Sequence, residues 1–458
     1  MVQPEVIALR PTGWETDPDE ERYKVSIIDL IPVCTYNHYL LFYRLEDQTK
    51  EHAITVLRAG LEKTLSQARH LAGTIEPDHE GGHSFVKRKE STVKLVTMRY
   101  DAEGDKWPSM DDIENAHFAQ HALGDDLGKW GIPEMTWGER PEAELVNNPT
   151  TAGFQINLVR GGMVFTGRQL RGHFPGHPFP AWDPACIDAS RFYKHLPEEQ
   201  MVEGPPMPLR QPGHVEQQAV LFHLPQSKAA EIKRLASPTD PNAHWISTYD
   251  AMCAFMWRAL SRVRAPLFKP DLARPLWWGC AVNMRPRLHR PPVPKRMMHN
   301  CLVGCFSDAL PGVALPTAGD VVSNEVPLSR LAGCIRAMNA ACTEDYLYGL
   351  LDLIAPVRDK RNISLRIDEK PPMSIFVTDH RPGDISGFDF GFGKPLTYRH
   401  MWGDLLTAGL ILIYAPVQSG KAGADEGCMF TVTMEKELVP VLCADPEWSR
   451  YFEYRGVD

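Results

Sequence analysis

The sequence lacks several features that would place it in a common class of protein. It begins without the basic residues and apolar run of a secretory signal peptide, so we expect no export. Its most apolar stretch, 405–417, has 13 residues, whereas a membrane-spanning helix needs about 20. The net charge is −9, which opposes binding to nucleic acid or to an anionic membrane. We therefore expect neither of them as a partner.

Cysteine is present but is not arranged as a disulfide framework or a metal site. The ten cysteines are scattered along the chain, and no two form a Cys-x-x-Cys pair. This pattern favours free thiols in a reducing compartment. We expect a cytoplasmic protein that binds no metal.

Proline is in excess, with 39 of 458 residues against a background of about 5%. It is dense in the segment 196–214, where five prolines exclude a regular helix or a central strand. We predict an N-terminal domain over 1–195, a crossover over 196–214 and a C-terminal domain over 215–458.

Both halves mix helical and strand-like patterns, which predicts an α/β (α+β) fold. Apolar residues from Ile54 to Ala68 recur at helical spacing, and Gly73 is expected to cap that helix. Ser247 and Asp250 predict the start of a second long helix. Strands are predicted at 92–100, 154–159, 163–167, 217–224, 277–283, 374–379, 405–414 and 428–435, with a hairpin turn at 160–162.

Two short motifs suggest metal ligands but are better explained otherwise. His79 and His83 match the zinc-protease pattern HExxH, yet the two glycines between them oppose the helix that such a site needs. A hairpin tip is the better interpretation. His299, Cys301 and Cys305 lack an evident fourth ligand, and buried thiols in a strand explain them better.

Residues 387–395 read Gly-Phe-Asp-Phe-Gly-Phe-Gly-Lys-Pro, an aromatic and glycine-rich turn. This element resembles the DFGWG motif of the BAHD acyltransferases, with Phe392 in place of the usual tryptophan. The family motif is structural and lies away from the reaction centre. The resemblance therefore implies structural roles for Asp389, Gly391 and Gly393.

Other segments resemble the same family in order and spacing, over nearly the whole chain. The run 182–191 is similar to that of fungal members of the trichothecene 3-O-acetyltransferase type. The remaining segments are Ser26-x-x-Asp29, 246–251, Asn283-x-Arg285, the proline-rich 291–294 and Asn300-Cys301. Their shared order identifies the sequence as a member of the family.

The resemblance implies a fold and a reaction. The expected fold has two similar-sized domains, each a mixed β-sheet flanked by helices, like chloramphenicol acetyltransferase, with a channel between them. The expected reaction moves an acyl group from coenzyme A to an alcohol. Acyl-CoA, most simply acetyl-CoA, is then a co-substrate, no cofactor is permanently bound, and the protein is expected to be a monomer.

The family takes its general base from an HxxxD motif that follows a hairpin strand. A hydroxyl attacks a thioester only if its proton is removed as the bond forms, and histidine suits that task at neutral pH. Here His173 stands near the expected place, but the position four residues on is His177 instead of aspartate. Gly162 and Trp182 are only 20 residues apart, which leaves no room for a strand end, the motif and a helix of about 11 residues.

Three HxxxD strings occur elsewhere, but none follows the hairpin strand. They begin at His121, His380 and His400, and the last two flank the Asp389 element. Two explanations for the missing motif remain open. The one we favour is that mis-splicing or an internal deletion removed a motif-bearing segment. The other is that His173 or His177 has taken over, or that catalysis has been lost.

The sequence predicts acyl-CoA-dependent O-acylation of a small secondary metabolite, with His173 as the candidate base. The alternative is a non-catalytic or defective relative that binds coenzyme A or a metabolite without turnover. A zinc hydrolase that uses His79 and His83 is a more distant possibility.

Overall fold

The computed structural model describes most of the chain. The described residues are 3–29, 36–78, 82–132, 135, 144–170, 196–206, 213–240, 244–289, 300–310, 312–363, 367–383, 385–402, 407–418 and 425–458. The strands are β1 (Glu5–Leu9), β2 (Glu20–Lys24), β3 (Tyr36–Arg44), β4 (Thr74–Pro77), β5 (His83–Arg88), β6 (Val93–Tyr100), β7 (Ala152–Val159), β8 (Gly162–Leu170), β9 (Gln217–Leu224), β10 (Trp278–Asn283), β11 (Leu302–Phe306), β12 (Ile375–Asp379), β13 (Thr397–His400), β14 (Leu410–Ile413), β15 (Cys428–Glu435) and β16 (Glu453–Val457). The helices are α1 (Lys50–Gln67), α2 (Met110–Asn115), α3 (Gln226–Ala236), α4 (Thr248–Phe268), α5 (Ala318–Val322), α6 (Leu328–Ala341), α7 (Glu344–Ile354), α8 (Val439–Ala444) and α9 (Pro446–Tyr451).

These strands form two large mixed sheets and one small sheet. The first sheet has the order β1-β6-β7-β8-β3-β13, and the second has the order β11-β10-β12-β14-β15-β9-β16. Both contain parallel pairs, β6 with β7 in the first and β10-β12-β14 in the second, among antiparallel neighbours. The small sheet, β2-β5-β4, is antiparallel. The α/β prediction of mixed sheets in both halves is confirmed.

The long helix α4 illustrates how local sequence sets an element. The Ser247 hydroxyl accepts a hydrogen bond from the Asp250 backbone N–H at 3.1 Å, and the Asp250 carboxylate accepts one from the Ser247 backbone N–H at 2.7 Å. This capping box satisfies donors that the first turn leaves without partners. From Ala251 to Leu260 every side chain is buried, because α4 lies between the second sheet and the helices α3 and α6.

The first long helix is also confirmed, but the predicted role of Gly73 is wrong. Helix α1 ends at Gln67 and is followed by a short 3₁₀ turn, Arg69–Ala72. Gly73 has an extended backbone with φ −105°. A Cβ atom at Gly73 would lie 2.4 Å from the Val86 carbonyl oxygen. Glycine is therefore needed there for the close approach of two backbones.

The predicted hairpins are present. β7 and β8 pair in antiparallel register through the turn at 160–161. β4 pairs with β5 so that Pro77 lies opposite His83, and the Asp78 backbone N–H donates to the Gly82 carbonyl oxygen at 3.0 Å. The residues on both sides of the HExxH string thus belong to a β4–β5 hairpin, while residues 79–81 of the string lie outside the described residues. The predicted strand 405–414 is shorter, since β14 begins at Leu410 and 403–406 are also outside.

The two large sheets meet along a boundary, called the seam below, that contains β13 of the first sheet and the end of β12 of the second. Residues from the second half of the sequence contribute to the first sheet and its core here. Strand β13 comes from the second half of the sequence but pairs with β3 at the edge of the first sheet. Leu221, Leu412, Tyr414 and Met429 of the second half are buried in the same apolar cluster as the first sheet. The domain limits at 195 and 214 stay a prediction.

Within the described ranges, no helix is long and apolar enough to cross a membrane.

The described cysteines are free thiols. They are Cys253, Cys280, Cys301, Cys305, Cys334, Cys342, Cys428 and Cys443.

Candidate active site

The Asp389 element forms a tight loop that lies against the first sheet. The Asp389 carboxylate accepts hydrogen bonds from the backbone N–H groups of Gly391 and Gly393, at 2.8 and 3.2 Å. Both glycines have positive φ angles, +93° and +138°, which a side chain would strain. The carboxylate is thus engaged within its own loop.

The aromatic residues of this loop fix it to strand β3. The rings of Phe390 and Phe392 lie 5.8 and 5.1 Å from the ring of Tyr43. A Cβ atom on Gly391 would lie 2.8 Å from the Val56 side chain on α1. Phe392, which stands where the family usually has tryptophan, thus packs on Tyr43.

The Ser-x-x-Asp segment connects the two halves of the chain. Ser26 and Asp29 are buried, and the Ser26 hydroxyl donates to the Asp29 carboxylate at 2.7 Å. The other carboxylate oxygen accepts from the Asn300 backbone N–H at 3.0 Å. Two segments that are 271 residues apart in sequence therefore meet here.

The Asn-x-Arg segment lies close to this junction. The Asn283 side-chain oxygen accepts from the Arg285 backbone N–H at 3.1 Å. Burial lowers the pKa of Arg285, while the Cys301 thiol and the Asp29 carboxyl act in the opposite direction. The segments that carry the family resemblance at 26–29, 283–285 and 300–301 thus come together in space.

The predicted base falls beyond the described part of the chain. Strand β8 is described to Leu170, which pairs with Tyr36 on β3. His173, His177 and the run 182–191 follow this point and lie outside the described residues. His173 therefore stays a prediction.

The two histidines that begin the later HxxxD strings meet at the seam. His380 follows β12 of the second sheet, and His400 ends β13 at the edge of the first. Their rings are 4.7 Å apart and nearly perpendicular, at 84°. Both side chains are half-buried. His121, which begins the third string, is exposed, and its Nδ1 lies 2.9 Å from the Val457 carbonyl oxygen.

Each seam histidine has a hydroxyl neighbour. Nε2 of His380 is 3.1 Å from the Thr378 hydroxyl, and Nδ1 of His400 is 3.3 Å from the Tyr414 hydroxyl. The ring of Tyr39 lies 4.7 Å from the ring of His400. Burial raises the pKa of Tyr39 to about 12, so this phenol is neutral near pH 7.

Two charged residues lie near these rings, Arg399, which is buried, and Asp458, which is half-buried. The guanidinium of Arg399 is 5.0 Å from the Tyr414 ring centroid, and Asp458 accepts from the Thr431 hydroxyl at 2.6 Å. Burial lowers the pKa of Arg399 and raises the pKa of Asp458, and the attraction between the two opposes both shifts. The seam therefore combines titratable groups with partial exclusion of water.

Sequence reasoning did not predict this cluster. His380 and His400 are 20 residues apart, and no helical or strand period places them side by side. The available signal was that both begin an HxxxD string. Asp384 and Asp404, which end those strings, lie outside the described residues.

Comparison with known proteins agrees with the fold and with these motifs. A family model described as the trichothecene 3-O-acetyltransferase-like N-terminal domain matches residues 35–171, and the Transferase family model matches residues 182–445. The acetyltransferase FGR3 of Gibberella zeae is 45% identical over 100% of this chain and 95% of its own length. Trichothecene 3-O-acetyltransferase TRI101 of Fusarium sporotrichioides is 23% identical, over 92% of this chain and 94% of its own.

Solved structures show the same architecture. TRI101 of F. graminearum, in complex with ethyl coenzyme A, superposes with a TM-score of 0.77 at 18% identity, covering 95% of this chain and 100% of that one. Vinorine synthase superposes with a TM-score of 0.67 at 16% identity, covering 99% of each chain. At these identities the likeness concerns the fold alone, and it confirms the predicted two-domain acyltransferase architecture.

The fold and the assembled motifs thus define an acyltransferase of the two-domain type. The chain belongs to the BAHD family of acyl-CoA-dependent acyltransferases, and within it to the fungal trichothecene 3-O-acetyltransferase-like type.

Proposed function

We propose that this protein transfers an acetyl group from acetyl-CoA to a hydroxyl of a small secondary metabolite. The observation that carries the proposal is the alignment of the whole chain with an acetyltransferase at 45% identity. TRI101 crystal structures with coenzyme A and T-2 mycotoxin, or with deoxynivalenol, share the fold. They support an oxygenated terpenoid as the acceptor class.

The reaction needs an exchange of bonds at the thioester carbon. The acceptor oxygen forms a C–O bond, the C–S bond breaks, and the hydroxyl proton finally resides on the thiol of free coenzyme A. A base must hold that proton in between, because an aliphatic hydroxyl is a weak nucleophile. Hydrogen-bond donors directed at the carbonyl oxygen would stabilise the negative charge that develops there.

Incubation of the purified chain with acetyl-CoA and deoxynivalenol tests the proposal. We expect release of coenzyme A thiol, measured with a thiol reagent, together with an acetyl ester detected by mass spectrometry. Thiol release at the rate of the acceptor-free control, with no ester for deoxynivalenol or other hydroxylated terpenoids, would reject the proposal. Coenzyme A binding by calorimetry without turnover would then favour the non-catalytic alternative.

We also propose that a segment is missing next to β8. The alignment with FGR3 runs over 481 positions, whereas the chain has 458 residues, so at least 23 positions of the relative lack a counterpart. The two family models leave 172–181 unmatched between them. The first finding supports an internal deletion or mis-splicing somewhere in the chain, and the second supports its placement after β8.

Sequencing of the transcript between the codons for Gly162 and Trp182 tests this second proposal. We expect a longer transcript that encodes the missing motif. Transcripts that encode only the printed sequence, over an uninterrupted genomic segment, would reject it.

A further inference from the structure

The seam between the two large sheets contains a second candidate for the proton-accepting group. His380 belongs to the second sheet and His400 to the first, and their rings touch with centroids 4.7 Å apart. Their contact does not depend on the segment that follows β8. A chain without the family motif therefore retains two imidazoles at the junction of its sheets.

We infer that His380 accepts the acceptor's hydroxyl proton in this chain and that His400 positions it. This inference rests on the proposed acetyl transfer and assigns a base to it. Imidazole is the side chain whose ordinary pKa suits proton transfer near neutral pH. The inference concerns the protein as its sequence is printed.

The backbone holds His380 firmly at the end of β12. Its N–H donates to the Ile413 carbonyl oxygen at 2.8 Å, and its carbonyl oxygen accepts from the Gly383 N–H at 3.1 Å. The Tyr398 hydroxyl also donates to the His380 carbonyl oxygen, at 3.4 Å. A base works best when it is fixed in this way, because a misplaced group loses the advantage of proximity.

The Thr378 hydroxyl allows the His380 ring to gain and lose a proton without a change of position. It lies 3.1 Å from Nε2, and a hydroxyl can donate to this nitrogen or accept from it. The ring can therefore remain in place in both protonation states. His400 limits rotation from the other side through its edge-to-face contact.

Sheet register relates His400 to strand β8, the strand after which the family motif would begin. Gly167 on β8 lies opposite Tyr39 on β3, and Tyr39 lies opposite His400 on β13. Adjacent strands are about 4.8 Å apart, so the backbones of Gly167 and His400 are separated by roughly 10 Å. β8 runs three residues further, to Leu170, which lies opposite Tyr36. His400 is thus two strands away from β8, the strand that the family's own histidine would follow.

In the proposed step the acceptor oxygen attacks the thioester carbon while His380 takes its proton. The C–O bond forms, the C–S bond breaks, and the imidazolium returns the proton to the departing thiolate. Atoms and charges balance without an additional reactant. His121 does not fit this role, because it is exposed and lies against Val457.

Substitution of His380 in the full chain tests the inference, with acetyl-CoA and deoxynivalenol as substrates. We expect His380→Gln to lower kcat by about 10²- to 10⁴-fold, the usual contribution of a general base. The KM for acetyl-CoA should change less than about threefold, because a base acts in the transition state. For His400→Gln we expect a fall in kcat of about tenfold, since misplacement alone weakens the base.

His52→Gln, on the exposed face of α1, is the matched control and should retain the wild-type rate. Calorimetric binding of coenzyme A verifies that each variant is folded, and His380→Asn is the second variant if the glutamine fails that check. Wild-type kcat in a folded His380 variant would overturn the assignment of the base and leave the acetyl transfer intact. Loss of kcat in His173→Gln alone would assign the base to His173. Absence of turnover in the wild type would overturn both the proposed acetyl transfer and the assignment of His380 as its base.

Discussion

At the scale of single residues, the buried carboxylate of Asp29 shows how one side chain joins distant segments. It is 1% exposed and accepts from the Ser26 hydroxyl and from the Asn300 backbone. The sequence indicated Asp29 only through its resemblance to a family motif. Its partner Asn300 could not be predicted, because hydrogen bonding between segments so far apart depends on the assembled fold.

We predict that Asp29→Ala lowers the free energy of unfolding by about 3 kcal/mol. The reason is that the buried Ser26 hydroxyl and the partly buried Asn300 N–H would both lose a charged acceptor. Thermal melting followed by circular dichroism measures the change. Glu103→Ala, an exposed carboxylate, should melt with the wild type, and equal melting temperatures for both variants would contradict the prediction.

A second residue-scale prediction concerns Glu76 and acid stability. The bidentate hydrogen bond from Arg88 lowers the pKa of Glu76 from 4.5 to about 2, against the opposing effect of burial. A carboxyl group whose pKa is lower in the folded than in the unfolded state stabilises the fold at any pH above its unfolded pKa. For Glu76 this contribution is lost as the pH falls from 4.5 towards 2. Because the Arg88 side chain is 50% exposed, we expect only about 1 kcal/mol.

Urea unfolding as a function of pH tests the predicted contribution of Glu76 to stability. Glu76→Gln should be less stable than the wild type at pH 7, and the two curves should converge near pH 2. The exposed carboxylate Glu437, changed to glutamine, provides the control. A difference between wild type and Glu76→Gln that does not depend on pH would reject the assignment to the Glu76 carboxyl.

At the scale of elements, helix α4 is attached to strand β15 by a buried ion pair. Arg264 and Glu435 are each 1% exposed, and two guanidinium N–H groups donate to the carboxylate at 2.7 and 2.9 Å. A third donates to the Ser374 carbonyl oxygen at 3.2 Å. Arg264 lies in the last third of α4, and only the packing of the fold shows that its charged side chain lies within a core.

We predict that Glu435→Leu lowers stability by about 3–5 kcal/mol, because it leaves a buried guanidinium without its counter-charge. The double variant Arg264→Met/Glu435→Leu should recover most of this loss, since two apolar side chains need no partner. A double-mutant cycle in urea measures the coupling. If the double variant lost as much unfolding free energy as the two single variants together, the prediction would be contradicted.

At the scale of the whole molecule, the seam depends on Gln120, which is 2% exposed. Its side-chain amide donates to the His400 carbonyl oxygen at 2.9 Å and accepts from the Trp402 backbone N–H at 2.8 Å. Its own N–H donates to the Asp458 carboxylate at 3.2 Å. One residue of the first half thus holds three positions of the second half together.

We predict that Gln120→Ala increases hydrogen exchange at the Trp402 amide at least tenfold, because that N–H loses its acceptor. A tenfold change corresponds to about 1.4 kcal/mol in the local opening equilibrium. Hydrogen exchange followed by mass spectrometry or NMR provides the measurement. Gln226→Ala, at an exposed helix start, is the control, and unchanged exchange in both variants would count against this role.

The sequence by itself determined the local elements. The capping box of α4, the strands 217–224 and 428–435 and the hairpin of β7 and β8 were all predictable. Each of them depends on residues that are neighbours along the chain, where dihedral preferences, capping and side-chain periodicity operate. The family motifs were readable for the same reason, since each is a short string.

Only the tertiary structure decided which strands and side chains meet. Strand β13 belongs to the second half of the sequence but forms the edge of the first sheet. Its pairing with β3 places His400 beside His380. A strand's own residues specify its two faces but not its partner, because many orders of the same strands bury the same apolar faces. Sheet order is fixed by the packing of the whole chain, and it brings the two seam histidines together.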